Sequence, residues 1–315
     1  MQRILLYFFI FSSTSLLAAK DTTANYFESQ QTKISAINTK LFSAKTDEER
    51  QKLNTLLLAT LEETLNQPNS YDFPFDSLKK DIGILTSPDN KFRIINWNIE
   101  KKDGTHQYYG FIQEKYVVAK KKIESVLLFP LIDKSLEIRN PENTISDNKK
   151  WFGMLYYKII PVKVKKKTYY TLLARDMNDK LSQKKIIDVL SFDSNGNPRF
   201  GADVFSLPKK YPKRVIFEYA SSCIFALKYN ESMDMIVYDR LAPIEPQLEG
   251  QYQYYCTSDF EYDGLKIKKG KWVFQANVAP KNQKDNTDKN YNSPDSDSSK
   301  PQSNKVVNKT KRKKK

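Results

Sequence analysis

Residues 92–113 read FRIINWNIEKKDGTHQYYGFIQ, and this stretch decides the fold. Phe92 to Ile99 and Gln107 to Gln113 are rich in β-branched and aromatic residues and flank the dipeptide Asp103-Gly104. Two such runs across Asp-Gly read as a β-hairpin, because this dipeptide supplies the positive φ angles that a tight hairpin turn requires. The pattern recurs downstream, where Ile186 to Phe192 and Arg199 to Val204 flank Asn195-Gly196. Further pairs are Trp151 to Pro161 with Thr168 to Ala174, Val215 to Leu227 with Met235 to Asp239, and Gln251 to Cys256 with Lys271 to Val278. About ten antiparallel strands are expected. The chain holds 19 Tyr and 18 Phe, most of them inside these runs, as pleated half-buried surfaces favour.

Strands in succession with short polar turns predict an antiparallel meander that curls into a bent sheet, a barrel or a sandwich, since an open sheet of that width would expose edges and both faces. There is no repeat of fixed length, which argues against a propeller, although Ser87 to Lys91 resembles a turn leading into a propeller blade. The fold class is therefore mainly β within an α+β chain.

Upstream the period changes. Asn25 to Asn66 contains neither Gly nor Pro. Thr46-Asp47-Glu48-Glu49 is a capping box, and Leu53, Leu56, Leu57, Leu61 and Leu65 follow on one helical stripe before Pro68. An earlier helix, Phe27 to Ser43, carries Ile34, Ile37 and Leu41 at similar spacing. The pair reads as a helical hairpin, packed on the β body or serving as an oligomerisation arm. Earlier still, Arg3 precedes an uncharged run from Ile4 to Leu17 and the small residues Ala18-Ala19. These are the parts of a secretory signal peptide, so export to the periplasm or the exterior is expected. No Cys follows the run, so no lipid anchor is expected.

Downstream of Pro280 the apolar residues nearly vanish, leaving a segment that cannot bury enough surface to offset the entropy of ordering. Of the net charge of +15 it carries a large share, ending in Lys311, Arg312, Lys313, Lys314 and Lys315. These five are read as an anion-binding tail for an anionic polymer or a membrane surface, through counterion release and without a specific nucleic-acid target. Lys120 to Lys122 and Lys165 to Lys167 show the same lysine habit in loops. The expected segments are 1–19, signal peptide; 20–70, helical hairpin; 71–279, antiparallel β domain; and 280–315, disordered basic tail.

One His and two Cys are too few for a Cys/His zinc site, and no Gly-rich phosphate loop is present, so neither metal nor cofactor is expected. Cys223 and Cys256 fall in two strands with a third between them in sequence; in a simple meander the outer two stand about 9.6 Å apart, beyond bridging distance, which predicts two buried free thiols. His106 reads as a surface residue beside its turn. Asp259, Glu261, Asp263 and Gly264 resemble half a calcium loop without its closing Glu, and Asp193, Asn195 and Asn197 are interrupted by Pro198; both read as hairpin turns. Glu218, Asp188 and Asp239 lie in apolar strands, where inward carboxylates would suit acid/base work. Tyr252, Tyr254 and Tyr255, with Phe260 and Tyr262, read as strand packing or as an aromatic binding surface for sugars or peptides.

Three stretches, Ser87 to Asn98, Trp151 to Ile160 and Leu248 to Phe274, together resemble an uncharacterised family of exported β-rich proteins of Bacteroidota. The resemblance implies export from a Gram-negative cell and carries no activity, cofactor or catalytic residue. The expectation is an exported, non-catalytic binding or envelope-organising protein; the alternative is a periplasmic hydrolase using paired carboxylates. An inward pair of carboxylates in a concave pocket would favour the hydrolase, and an exposed aromatic or basic face the binding protein.

Overall fold

The computed structural model describes residues 13–118, 123–208 and 210–279. Two helices, α1 (Ser13–Ser43) and α2 (Asp47–Leu65), precede fifteen described strands. Strands β1 (Gly83–Thr86), β2 (Phe92–Glu100), β3 (His106–Val118) and β4 (Ile123–Ile132) form the first sheet in sequential order. In the second sheet β5 (Ser146–Asp147), β6 (Leu155–Val164), β7 (Lys167–Asp176), β8 (Ser182–Phe192) and β9 (Pro198–Phe200) run in the order β5-β9-β8-β7-β6, and β11 (Val215–Ala220) also pairs with β8. The third sheet orders β10 (Phe205–Ser206), β12 (Leu227–Asn230), β13 (Met235–Pro243), β14 (Tyr255–Lys268) and β15 (Lys271–Gln275) as β10-β15-β14-β13-β12. The strands pair antiparallel except β10 with β15, and no sheet closes on itself.

The side-chain parity of the strands stacks these elements. Along β2, Phe92 and Ile94 join the core shared with the second sheet, whereas Ile95, Trp97 and Ile99 join the core shared with the helices. Along β8, Ile186 and Leu190 face the first sheet, and Ile187 and Val189 face Ile236, Leu265 and Trp272 of the third. With a side-chain period of two, a strand that is apolar on both faces must be covered on both. The result is four layers: helices, first sheet, second sheet, third sheet.

The helical hairpin forms as its sequence predicts and packs on the first sheet. The Thr46 hydroxyl accepts from the Glu49 amide at 3.1 Å, while the Glu49 carboxylate accepts from the Lys45 amide at 3.0 Å. Leu57, Leu61 and Leu65 are buried against Ile34, Ile37, Leu41 and Trp97, but Leu56 of the same predicted stripe is 49% exposed. Trp97 Nε1 donates to Asn54 at 2.8 Å and fixes α2 over β2.

Several expectations need correction. The stretch Val215 to Leu227 is not one strand: β11 ends at Ala220 and pairs with β8, not with β13. Tyr252 to Tyr254 form a 3-10 turn, so the strand begins only at Tyr255. Residues 259 to 264 lie inside β14 and are not a turn, the reversal falling at Lys269-Gly270. Cys223 and Cys256 are joined in a disulfide with Cα atoms 5.6 Å apart. The meander argument placed both in strands, whereas Cys223 lies in the β11–β12 link. Asp239 ties that link to β13, its carboxylate accepting from the Ala226 amide at 2.6 Å and its amide donating to the Ala226 carbonyl at 3.2 Å. The signal-peptide reading falls largely, and Lys311 to Lys315 wholly, outside the described residues.

Candidate functional site

Three strand ends meet beside one another and enclose a cleft of about 630 Å³ between the first and second sheets. The first is the β2–β3 turn. There Asp103 accepts from both the amide and the hydroxyl of Thr105, and Gly104 takes φ +88°, with Lys180 so close that a Cβ would fall 2.4 Å from it. The positive φ is what favours glycine there, since the Lys180 side chain is flexible and could move aside.

The second is the exit of β4. Asp133 accepts from the Tyr108 amide at 3.0 Å and from the amide and hydroxyl of Ser135 at 3.0 and 2.6 Å. The Ser135 oxygen in turn accepts from the Gly153 amide at 2.8 Å. Leu136, next in the turn, lines the cleft with 99% of its surface exposed.

The third is the β7–β8 connection. Asp176 is buried, and its Oδ1 accepts from the Tyr108 hydroxyl at 2.7 Å and from the Asn178 amide at 2.8 Å. The Tyr108 hydroxyl also accepts from the Met177 amide at 2.7 Å, so it is saturated. Burial first, and then the neighbouring Asp176 charge, raise its pKa far above the ordinary tyrosine value. Lys184 donates to Asn178 Oδ1 at 2.7 Å and stands 3.8 Å from Asp176 Oδ2 and 4.0 Å from Glu218.

His106 lines this cleft, half-buried, instead of lying at the surface beside its turn. Its Nδ1 is 2.8 Å from Asn98 Nδ2, an amide donor, so Nδ1 accepts and the neutral ring carries its proton on Nε2. Burial pushes the imidazole below its usual pKa, with Glu100 and Asp176 pulling the other way. The Lys101 backbone closes the β2–β3 turn with Thr105 and Gly104, but its side chain makes no hydrogen bond or ion pair among the described residues, and neither does His106 Nε2.

The three carboxylates proposed from sequence are not brought together. Asp188 is fully buried and ion-paired to the equally buried Arg214 at 2.9 Å. Glu218 accepts from the Ser182 hydroxyl at 2.6 Å, and Asp239 serves the β11–β12 link. The residues that do line the cleft, Asp133, Asp176, Lys101 and Lys184 among them, carried only turn-like or strand-end signals in the sequence. Tyr252 and Tyr254 are 49% and 41% exposed on their turn. Tyr255 is half-buried, its ring 5.1 Å from that of Tyr252 and its hydroxyl accepting from the Gly250 amide. Among the described residues no three His, Cys, Asp or Glu side chains are grouped to hold a metal ion, and no helix is long and apolar enough to cross a membrane. Scans against protein-family models, curated proteins and solved structures return no match.

Proposed function

We propose that the chain is an exported, non-catalytic binding protein of the uncharacterised family of exported β-rich proteins of Bacteroidota that its sequence resembles, and that the cleft between the first two sheets holds its ligand. One observation carries the reading: the cleft's two candidate nucleophiles, the Ser135 and Tyr108 hydroxyls, are both engaged with carboxylates and neither is hydrogen-bonded to His106. The Ser135 hydroxyl donates to Asp133, not to His106, and Asp133 receives two donors from its own turn and a third, the Tyr108 amide, from β3. A nucleophile needs a base in hydrogen-bond reach, and neither Ser135 nor Tyr108 has an unoccupied one. Such an arrangement holds polar groups in place for recognition. The half-buried Cys223–Cys256 disulfide is compatible with an oxidising compartment, which supports export. The basic tail, outside the described residues, adds salt-sensitive attraction to anionic surfaces in this proposal.

The alternative, a carboxylate hydrolase, has Asp133 and Asp176 facing the cleft in its favour. Thermal-shift screening of polar metabolites, followed by NMR of each hit over a day, separates the two. Binding abolished by His106→Ala without consumption of the hit is expected. Turnover that disappears in Asp176→Asn would establish the hydrolase instead.

A further inference from the structure

The unused polar atoms of the cleft differ in sign from wall to wall. On the β2–β3 side, Lys101 lines the cleft with a side chain that makes no hydrogen bond or ion pair among the described residues, its charge acting on the neighbouring Asp103, and His106 Nε2–H has no partner among them. On the β7–β8 side, the Oδ2 of buried Asp176 accepts no hydrogen bond among the described residues, with Lys184 at 3.8 Å, beyond hydrogen-bond length. Between them an apolar contact is offered by Leu136, 99% exposed. An apolar ligand group laid against the exposed Leu136 side chain would remove apolar surface from water.

Resting on the binding reading above, we propose that the ligand is a short peptide with free termini. Its carboxylate is held by Lys101 and His106 Nε2–H, its ammonium by Asp176 Oδ2, and an apolar side chain lies against Leu136. A phosphorylated ligand, with its higher negative charge, is disfavoured by the five carboxylates that share the cleft, Asp103, Asp133, Glu137, Asp176 and Asp179. A sugar is disfavoured because the cleft's rings, Tyr108 and Phe152, are buried and offer no exposed face to stack on. The volume of about 630 Å³ suits a ligand of drug size, larger than one amino acid.

The probe is Ala-Leu-Ala, compared by calorimetry with its N-acetyl and C-amide forms against the full chain. Acetylation is expected to weaken binding at least tenfold, and amidation several-fold. Lys101→Ala, at a side chain without a hydrogen bond or ion pair among the described residues, is expected to abolish the preference for the free carboxylate. Asp176→Asn keeps Oδ1 as the acceptor for Tyr108 and Asn178, and is expected to abolish the preference for the free amine. Equal binding of all three peptides overturns the proposal. So does failure of all three while another hit from the metabolite screen still depends on His106, in which case the cleft remains a binding site of another class. If neither the peptides nor any screened compound binds, the cleft reading falls with it.

Discussion

Asp188 and Arg214 offer the sharpest test of how the interior is built, because sequence reading made Asp188 a candidate for acid/base chemistry and the structure makes it half of a buried ion pair. Both side chains are 0% exposed, with Arg214 Nε 2.9 Å from Asp188 Oδ1. Arg214 has one further acceptor, the Pro141 carbonyl at 2.6 Å, and Asp188 is also held by the Val189 amide at 2.8 Å. Asp188→Ala strands a guanidinium in the core with a single carbonyl, and Arg214→Met strands a carboxylate. Each single change is expected to cost about 3 to 5 kcal/mol, the usual penalty for an uncompensated buried charge. At about 2 to 4 °C per kcal/mol for a body of this size, the melting temperature should fall by about 6 to 20 °C. The double variant Asp188→Leu with Arg214→Met removes both charges and replaces them by apolar volume, so it should be more stable than either single variant, with a coupling of about 2 kcal/mol or more in a double-mutant cycle. Urea or thermal denaturation of the four proteins supplies the cycle. If the two losses simply add, the charges do not stabilise one another, and the structural role assigned to Asp188 is wrong.

The disulfide closes a sequence separation of 33 residues, so Cys223→Ser with Cys256→Ser should cost about 3 to 4 kcal/mol from chain entropy, and reductant should bring the native protein down to the same melting temperature. Leu57→Ala or Leu61→Ala should cost about 2 to 5 kcal/mol and Leu56→Ala almost nothing, a contrast that denaturant unfolding reads directly and that equal losses would contradict. The His106 pKa lies below its unfolded value, so the unfolded chain binds the extra proton: stability is fully present above about pH 6.5 and declines as pH falls toward the folded pKa. His106→Gln should therefore flatten part of the drop in melting temperature between pH 7 and about pH 5, and an unchanged slope would remove the buried-imidazole argument.

The β2–β3 and β8–β9 hairpins were legible because their turns use dipeptides whose backbone preference is strong and local. The helical hairpin was legible for the same reason, through Thr46 and the leucine period. Pairing between distant strands was not. β11 follows β10 in sequence yet pairs with β8, and nothing in Val215 to Ala220 distinguishes a strand that turns to its neighbour from one that crosses to another sheet. The disulfide was misread through that same gap, since the distance argument assumed strands paired in order. Leu56 shows the other limit: spacing places it on the leucine stripe, but the buried arc of α2 is narrower than the arc the leucines span.

The cleft was invisible to sequence reading for a further physical reason. Its polar groups are the residues that turns and strand ends use anyway. Asp103 closes the β2–β3 turn, Asp133 organises the exit of β4, and Asp176 starts the β7–β8 turn, each by accepting local backbone amides. Only the stacking of two sheets sets these ends side by side, and that stacking depends on apolar parity in β2, β3, β7 and β8, not on the turn residues themselves. Tyr108 is where the two requirements meet. Its ring belongs to the core between the sheets, its amide donates to Asp133, and its hydroxyl donates to Asp176. A single β3 residue thus ties the turn of one sheet to the turn of the other. The core packing that stacks the sheets is therefore also what gives the cleft its shape.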